Sequence, residues 1–233
     1  MIAQECAAPS YAALWERTRQ CLSALGLTET TTPEWAMAAA AGQVRLTAAR
    51  WRIGPESYPL GDCRVARLSG AADGFLALIC PAQPGRLPVL SAELFAVQGR
   101  PQLACLDLLA PGLPAELRDE IAEQTTVLSI RHAMFLPRDE PAPPWAVDES
   151  PGGYLFTRIN RPETLPRLAQ AFEDYLNIWL DFAHAAPAES IATATVAAAW
   201  SAFRRARANR ESFLQRFFGD VWTSRFLTEF WYQ

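Results

Sequence analysis

Along the first half of the chain apolar and polar residues alternate in short runs, and beyond Glu163 they recur every three to four residues. The first period belongs to strands with one face turned to a core, the second to helices. Runs at 44–53, 63–68, 74–80, 92–97 and 102–109 predict strands. The separators Ser69–Gly74 and Gln98–Pro101 are hairpin-sized, so successive strands should be antiparallel neighbours in a meander. Upstream, residues 11–27 set Leu14, Trp15, Thr18, Cys21, Leu22 and Leu25 on one face of a helix ended by Gly26. Residues 28–33 read as a polar joint, and alanine-rich 34–42 as a short helix. Downstream, 113–124 is predicted helical, 126–135 a strand, and 154–159 the last strand after a proline- and acid-rich crossing at 137–151. The stretches 163–185 and 189–218 predict long helices, expected with the terminal helix on one face of the sheet.

The terminal helix has its own signature. Phe213, Leu214, Phe217 and Phe218 fall at helical spacing, Gly219 stops that helix, and Asp220 stands where a second would take its N-cap. Val221, Trp222, Phe226, Leu227, Phe230 and Trp231 carry the apolar face onward. So much aromatic surface at a chain end should be docked, since its exposure would promote association.

Strands first and helices last is the layout of an α+β fold, a single antiparallel sheet packed against helices. Residues 1–43 are expected to form an N-terminal helical extension packed on the core, and 44–233 the main domain. With half of 233 residues apolar, the chain can bury one sizeable core. A net charge of −4 gives no electrostatic case for nucleic acid. No apolar run approaches the roughly 18 residues of a membrane span, and the first residues lack the pattern of a signal peptide. Cys6, Cys21, Cys63, Cys80 and Cys105 are odd in number and widely spaced, which suits reduced, mostly buried thiols in a cytoplasmic protein.

All 21 basic residues are arginine, which excludes a Schiff-base amine, a pyridoxal anchor and a phosphate-loop lysine together. With only His132 and His184, a three-histidine zinc site is impossible, and no metal site is expected. Neither a Gly-x-Ser-x-Gly elbow nor a strand-borne Gly-x-Gly-x-x-Gly occurs. The two histidines read as ordinary helix or strand residues.

Four ordered segments carry a resemblance. Residues 80–93 hold a Leu-Pro pair, Leu87-Pro88, with Glu93 five positions beyond the proline. Residues 106–111 read Leu-Asp-Leu-Leu-Ala-Pro. Residues 143–158 run from Pro-Pro-Trp through Ser150 to Leu-Phe-Thr-Arg. The end reads Phe218-Gly-Asp-Val-Trp222, then Phe226-Leu-Thr-Glu-Phe230. In this order, over about residues 60 to 233, they resemble the ferredoxin-dependent bilin reductases. The resemblance implies an α/β/α sandwich holding a linear tetrapyrrole between the sheet and the C-terminal helices. It also implies two-electron reduction of biliverdin or a related bilin, with reduced ferredoxin as electron donor, no bound cofactor, and a monomer.

Electrons arriving singly on a conjugated tetrapyrrole leave an anionic radical, so an acid must deliver a proton nearby. Burial against an apolar sheet keeps a carboxyl protonated near neutrality. By the resemblance Glu93 stands at the family's central sheet aspartate, one methylene longer, and is the leading proton donor; the other reading is a solvent-facing strand glutamate. Asp107 is a second catalytic candidate, or a cap of the strand-to-loop turn. Arg138 and Arg158 are positioned by resemblance to meet the bilin propionates. Arg204, Arg205, Arg207 and Arg210 form a basic run. Arg207, Asn209 and Arg210 are its substrate-binding candidates, and the run otherwise serves ferredoxin docking or is a solvated helix face.

Two positions depart from the family pattern. Leu76 stands where some members pair a sheet histidine with the central acid. Ala208, with Asn209 beside it, stands where many carry an aspartate ten residues before the Phe-Gly. A non-catalytic tetrapyrrole carrier or accessory protein in pigment synthesis is therefore the alternative function, and a protein-interaction module a third.

Overall fold

A computed structural model of the chain describes residues 11–31, 35, 37–38, 43–52, 61–81, 87–136, 142, 144, 149–158, 161–185, 194–208 and 212–232. Helix α1 (Ala12–Ala24) is followed by strands β1 (Thr28–Thr31), β2 (Met37–Ala38), β3 (Val44–Arg52), β4 (Gly61–Gly70), β5 (Ala72–Pro81), β6 (Val89–Val97) and β7 (Arg100–Leu109). Helix α2 (Ala115–Ala133) leads to β8 (Leu155–Thr157). A single 3₁₀ turn (Pro162–Thr164) then opens α3 (Leu165–Ala185), followed by α4 (Ala194–Ala208), α5 (Gln215–Phe218), α6 (Asp220–Arg225) and a π-helical turn (Phe226–Trp231). The strands form one antiparallel sheet in the order β1-β3-β4-β5-β6-β7-β8, with β2 also on β3. The expected meander is present throughout.

Alternation sends one residue set to each face, and both faces are covered. Trp51, Val65, Phe75, Ile79, Leu90 and Leu106 pack against α1, α2 and α3. Leu46, Leu68, Leu76, Leu78, Val89 and Phe95 pack against α4 and the C-terminal segments. The fold is thus α+β, an α/β/α sandwich. The expectation that every helix after residue 163 lies on one face is corrected, because α3 and α4 sit on opposite sides. Leu168, Phe172, Tyr175, Leu176 and Trp179 of α3 form a stripe that meets the α1–α2 face, fixed by Trp179 Nε1 donating to the Pro88 carbonyl at 2.9 Å.

Three further expectations are corrected. Residues 126–135 are not a strand but mostly the second half of α2. Thr125, Thr126, Val127 and Ile130 carry strand propensity, yet Ile121, Thr125, Leu128 and His132 are buried at helical spacing, and burial outweighs propensity. Thr125 Oγ1 donates to Ile121 O at 2.7 Å and, in the same position, approaches Gly152 O at 2.8 Å, tying α2 to the approach of β8. The polar joint at 28–33 and the short helix at 34–42 instead supply strands β1 and β2. They divide the free edge of β3 between them, β1 along Ala49–Arg52 and β2 along Arg45–Leu46, and so satisfy backbone groups that an edge strand would leave to water. Asp220 is the first residue of α6 rather than its cap, and Gly219 (φ +75°) is the cap.

The C-terminal segment is docked as expected. Phe226, Leu227, Phe230 and Trp231 are buried, whereas Val221 is exposed. Tyr232 N–H reaches back five residues to Leu227 O at 2.8 Å, and this wider turn brings both aromatic pairs to the same side. Trp222 stacks on Phe226 at 5.1 Å, and Phe226 on Trp231 at 5.7 Å. Phe95 of β6 stacks on Phe213 at 4.5 Å, fixing this layer to the sheet.

Candidate functional site

The sheet face beneath α4 and the π turn is apolar at its rim and ionisable at its centre. Register places Arg50, Arg64, Leu78, Ser91 and Asp107 in one row across β3 to β7. The adjacent row on that face runs Ala48, Ala66, Leu76, Glu93, Cys105 and Phe156, from β3 to β8. Glu93 and Asp107 are therefore diagonal neighbours on adjoining strands, a separation of about 7–8 Å between Cα atoms. Both are buried, Glu93 at 3% exposure and Asp107 at 1%. This excludes the solvent-facing reading of Glu93. Asp107 lies within β7, two residues before its end, and faces the same side as Glu93.

From above, α4 brings Arg207, 2% exposed, on the helix face that carries Phe203, with its guanidinium 5.5 Å from that ring. Burial pushes the Cys105 thiol up to about 12; Arg207 draws it down and Asp107 raises it further. Arg207 and Asp107 thus both lie near enough to Cys105 for their charges to act on its thiol. The thiol itself stays protonated and is no nucleophile.

The basic run divides by face. Arg205 is exposed, and Arg204 Nε donates to the Tyr232 carbonyl at 2.7 Å, clipping the chain end to α4. Only Arg207 of the described members turns inward, so a wholly solvated face is corrected for that residue. Arg158 follows β8, is exposed, and holds its guanidinium 5.4 Å from the Phe156 ring, at the margin of the site. Arg138, Asn209 and Arg210 lie outside the described residues, as does most of the Pro-Pro-Trp motif. His132 is on the opposite side of the sheet, its Nε2 3.0 Å from Asp174 Oδ2, and His184 is exposed near the end of α3. Neither can reach Glu93. Sequence reasoning missed Arg50, Arg64 and Ser91; counting in twos from Glu93 through the hairpins would have found them.

Among the described residues no group of three or more His, Cys, Asp and Glu could hold a metal, and no helix is long and apolar enough to cross a membrane. The sheet face thus gathers two buried carboxyl groups beneath helices that carry a buried arginine. The family model described as ferredoxin-dependent bilin reductase matches residues 60–233, and the chain belongs to that family. No curated protein matches the sequence. The crystal structure of phytochromobilin synthase from tomato, in complex with biliverdin, is similar over 96% of this chain and 83% of that one, with a TM-score of 0.77 at 15% identity. That likeness shows the fold. It covers 96% of the chain, whereas the family match begins at residue 60, after β3.

Proposed function

We propose that the protein binds an open-chain tetrapyrrole, biliverdin or a related bilin, between the sheet and the C-terminal helices and reduces it with electrons from ferredoxin. The observation that carries the reading is Glu93, a carboxyl buried at the centre of the covered face. Two electrons enter one at a time and two protons follow. Glu93 gives the first to the radical anion and recovers a proton from solvent; Asp107, on the diagonal, is placed to relay or supply the second. The ligand's two carboxylates need cations once removed from water, and the inward arginines meet them. The exposed arginines, Arg205 among them, suit the approach of an acidic electron donor.

One observation favours a second reading, a tetrapyrrole carrier. Leu76, which cannot donate a proton, occupies the position directly opposite Glu93. An absorbance titration with biliverdin, followed by anaerobic addition of reduced ferredoxin, separates the two. Binding with loss of the bilin band supports the reductase, and binding without turnover supports the carrier. Absence of binding removes both.

A further inference from the structure

Helix α2 carries two apolar stripes, and only one of them faces the core. Ile121, Thr125, Leu128 and His132 are the buried stripe. On the opposite side Val127, Ile130 and Met134 follow one another three and four residues apart and are 53%, 70% and 81% exposed. Exposed apolar residues scattered singly are ordinary, but three in line on one helix make the continuous patch that marks an interface. Val127 and Leu128 also line a groove of about 400 Å³ with Ile178 of α3. Charge around the stripe is segregated. Before it, Glu116, Asp119, Glu120 and Glu123 are exposed, while Arg118 among them is turned to the Ala110 carbonyl at 2.7 Å and to Glu149 at 3.6 Å. Beyond it, the exposed Arg167 guanidinium of α3 lies 4.1 Å over the Phe135 ring, and Arg131 reaches Asp174 at 3.2 Å.

We propose that this face of α2 is the interface of a two-fold homodimer, in place of the monomer that the family resemblance implies. A half-turn about an axis through Ile130, perpendicular to the helix, lays Val127 of one copy on Met134 of the other, since they stand three residues before and four after it. The same rotation carries Glu123, about 10 Å before the axis, past the end of the other helix. There it meets Arg167 beside Phe135, which lies about 8 Å beyond the axis. The surface is therefore self-complementary: apolar on apolar at the centre, acid on base at both ends. An acidic protein or an anionic membrane would meet four carboxylates beside the stripe, and a basic partner would meet Arg131 and Arg167. A second copy satisfies both ends. The apolar centre is of the order of a few hundred Å², below the roughly 800 Å² per partner of a standard interface, so pairing is expected at micromolar concentration. The inference is independent of the bilin reading. Helix α2 packs with α1 and α3 on the sheet face opposite Glu93, and pairing through it leaves the C-terminal layer of each copy uncovered.

Sedimentation velocity of the full chain between about 5 and 200 µM is the test. The average mass should rise toward twice that of the monomer. Ile130→Glu, a change at an exposed position, should weaken association at least about tenfold. Glu123→Arg and Arg167→Glu should each weaken it too, by setting like charges against each other. Mixed in equal amounts, those two variants should regain the wild-type mass, because every contact across the two-fold axis then joins opposite charges. Thermal melts report whether each variant folds; should Ile130→Glu not fold, the charge variants decide. Wild type that stays monomeric throughout overturns the proposal. So does association that Ile130→Glu leaves intact, or a mixture that associates no better than its components. Ferredoxin is added in a parallel run. A complex with wild type that Ile130→Glu abolishes assigns the face to the electron donor and overturns the homodimer.

Discussion

Leu76 faces Glu93 directly across β5 and β6, so the buried carboxyl at the centre of the site has a hydrocarbon as its cross-strand partner. Neither histidine of the chain lies beside it on that face. Glu93→Gln keeps size and most hydrogen bonds but cannot release a proton at a usable pKa. Bilin affinity should be retained, and reduction should slow by roughly a hundred- to ten-thousandfold. Anaerobic stopped-flow absorbance would follow both, with a bilin radical accumulating after the first electron. Undiminished turnover in the variant would sink the acid role. Glu93→Asp, which restores the family's residue, should retain activity.

The same pair makes a gain-of-function experiment possible. Leu76→His sets an imidazole beside the carboxyl, where the two can share a proton and shift each other's titration. The pH–rate profile of bilin reduction should gain a limb near neutrality, and the radical should decay faster than in wild type. An unchanged profile and an unchanged radical lifetime would mean that the histidine position takes no part in this pocket. The substitution replaces a residue at 2% exposure, so some stability will be lost.

Buried acids of the core give a pH dependence of known sign. Burial pushes the Cys105 thiol to about 12. Burial, and then the charge of Asp73, raises the Tyr11 phenol, and burial raises the Cys21 thiol. In each case the folded value lies above the unfolded one, so the native state keeps a proton that the unfolded chain gives up. The stability these three groups contribute is therefore complete below about pH 8 and is lost as pH rises toward 12. Cys105 alone contributes a slope of about 1.4 kcal/mol per pH unit above about pH 9. Urea midpoints at pH 7, 9 and 10.5 should decline, and less steeply in Cys105→Ala. A flat profile across that range would contradict the burial of these groups.

The alternation from Val44 to Leu109 was legible because hairpin-length separators fix antiparallel neighbours, and with them the face of every residue. The position of Glu93 opposite Leu76 follows from the same counting. What was not legible depended on tertiary choice. Thr28–Thr31 looks like a joint until the bare edge of β3 asks for a partner. Thr125 to Ile130 has the residues of a strand and is held helical by what α2 buries. The side taken by α3 and α4 depends on which apolar stripe meets which face, and their sequences are compatible with either. Arg64 escaped notice for a different reason: an arginine in a strand is usually solvated, and only the second layer of helices makes it a buried charge.

Asp107 and Arg207 offer the last test, because both act on the Cys105 thiol and both are almost wholly buried. If the carboxylate balances the roof arginine, Asp107→Asn leaves a buried cation with less compensation and should cost about 1–3 kcal/mol of stability. Arg207→Gln should cost a similar amount. The double variant should then lose less than the two single losses added together, since neither partner is left to be desolvated alone. If Asp107 also passes a proton, Asp107→Asn will lower the rate of the second reduction step while leaving the first radical to form at the wild-type rate. Glu93→Gln should slow decay of that first radical. Denaturant melts of the four-member cycle and rapid-mixing spectra of the two single carboxylate variants separate these roles. Additive stability losses would refute the roof-to-floor pairing, and identical kinetics for Asp107→Asn and wild type would confine Asp107 to it.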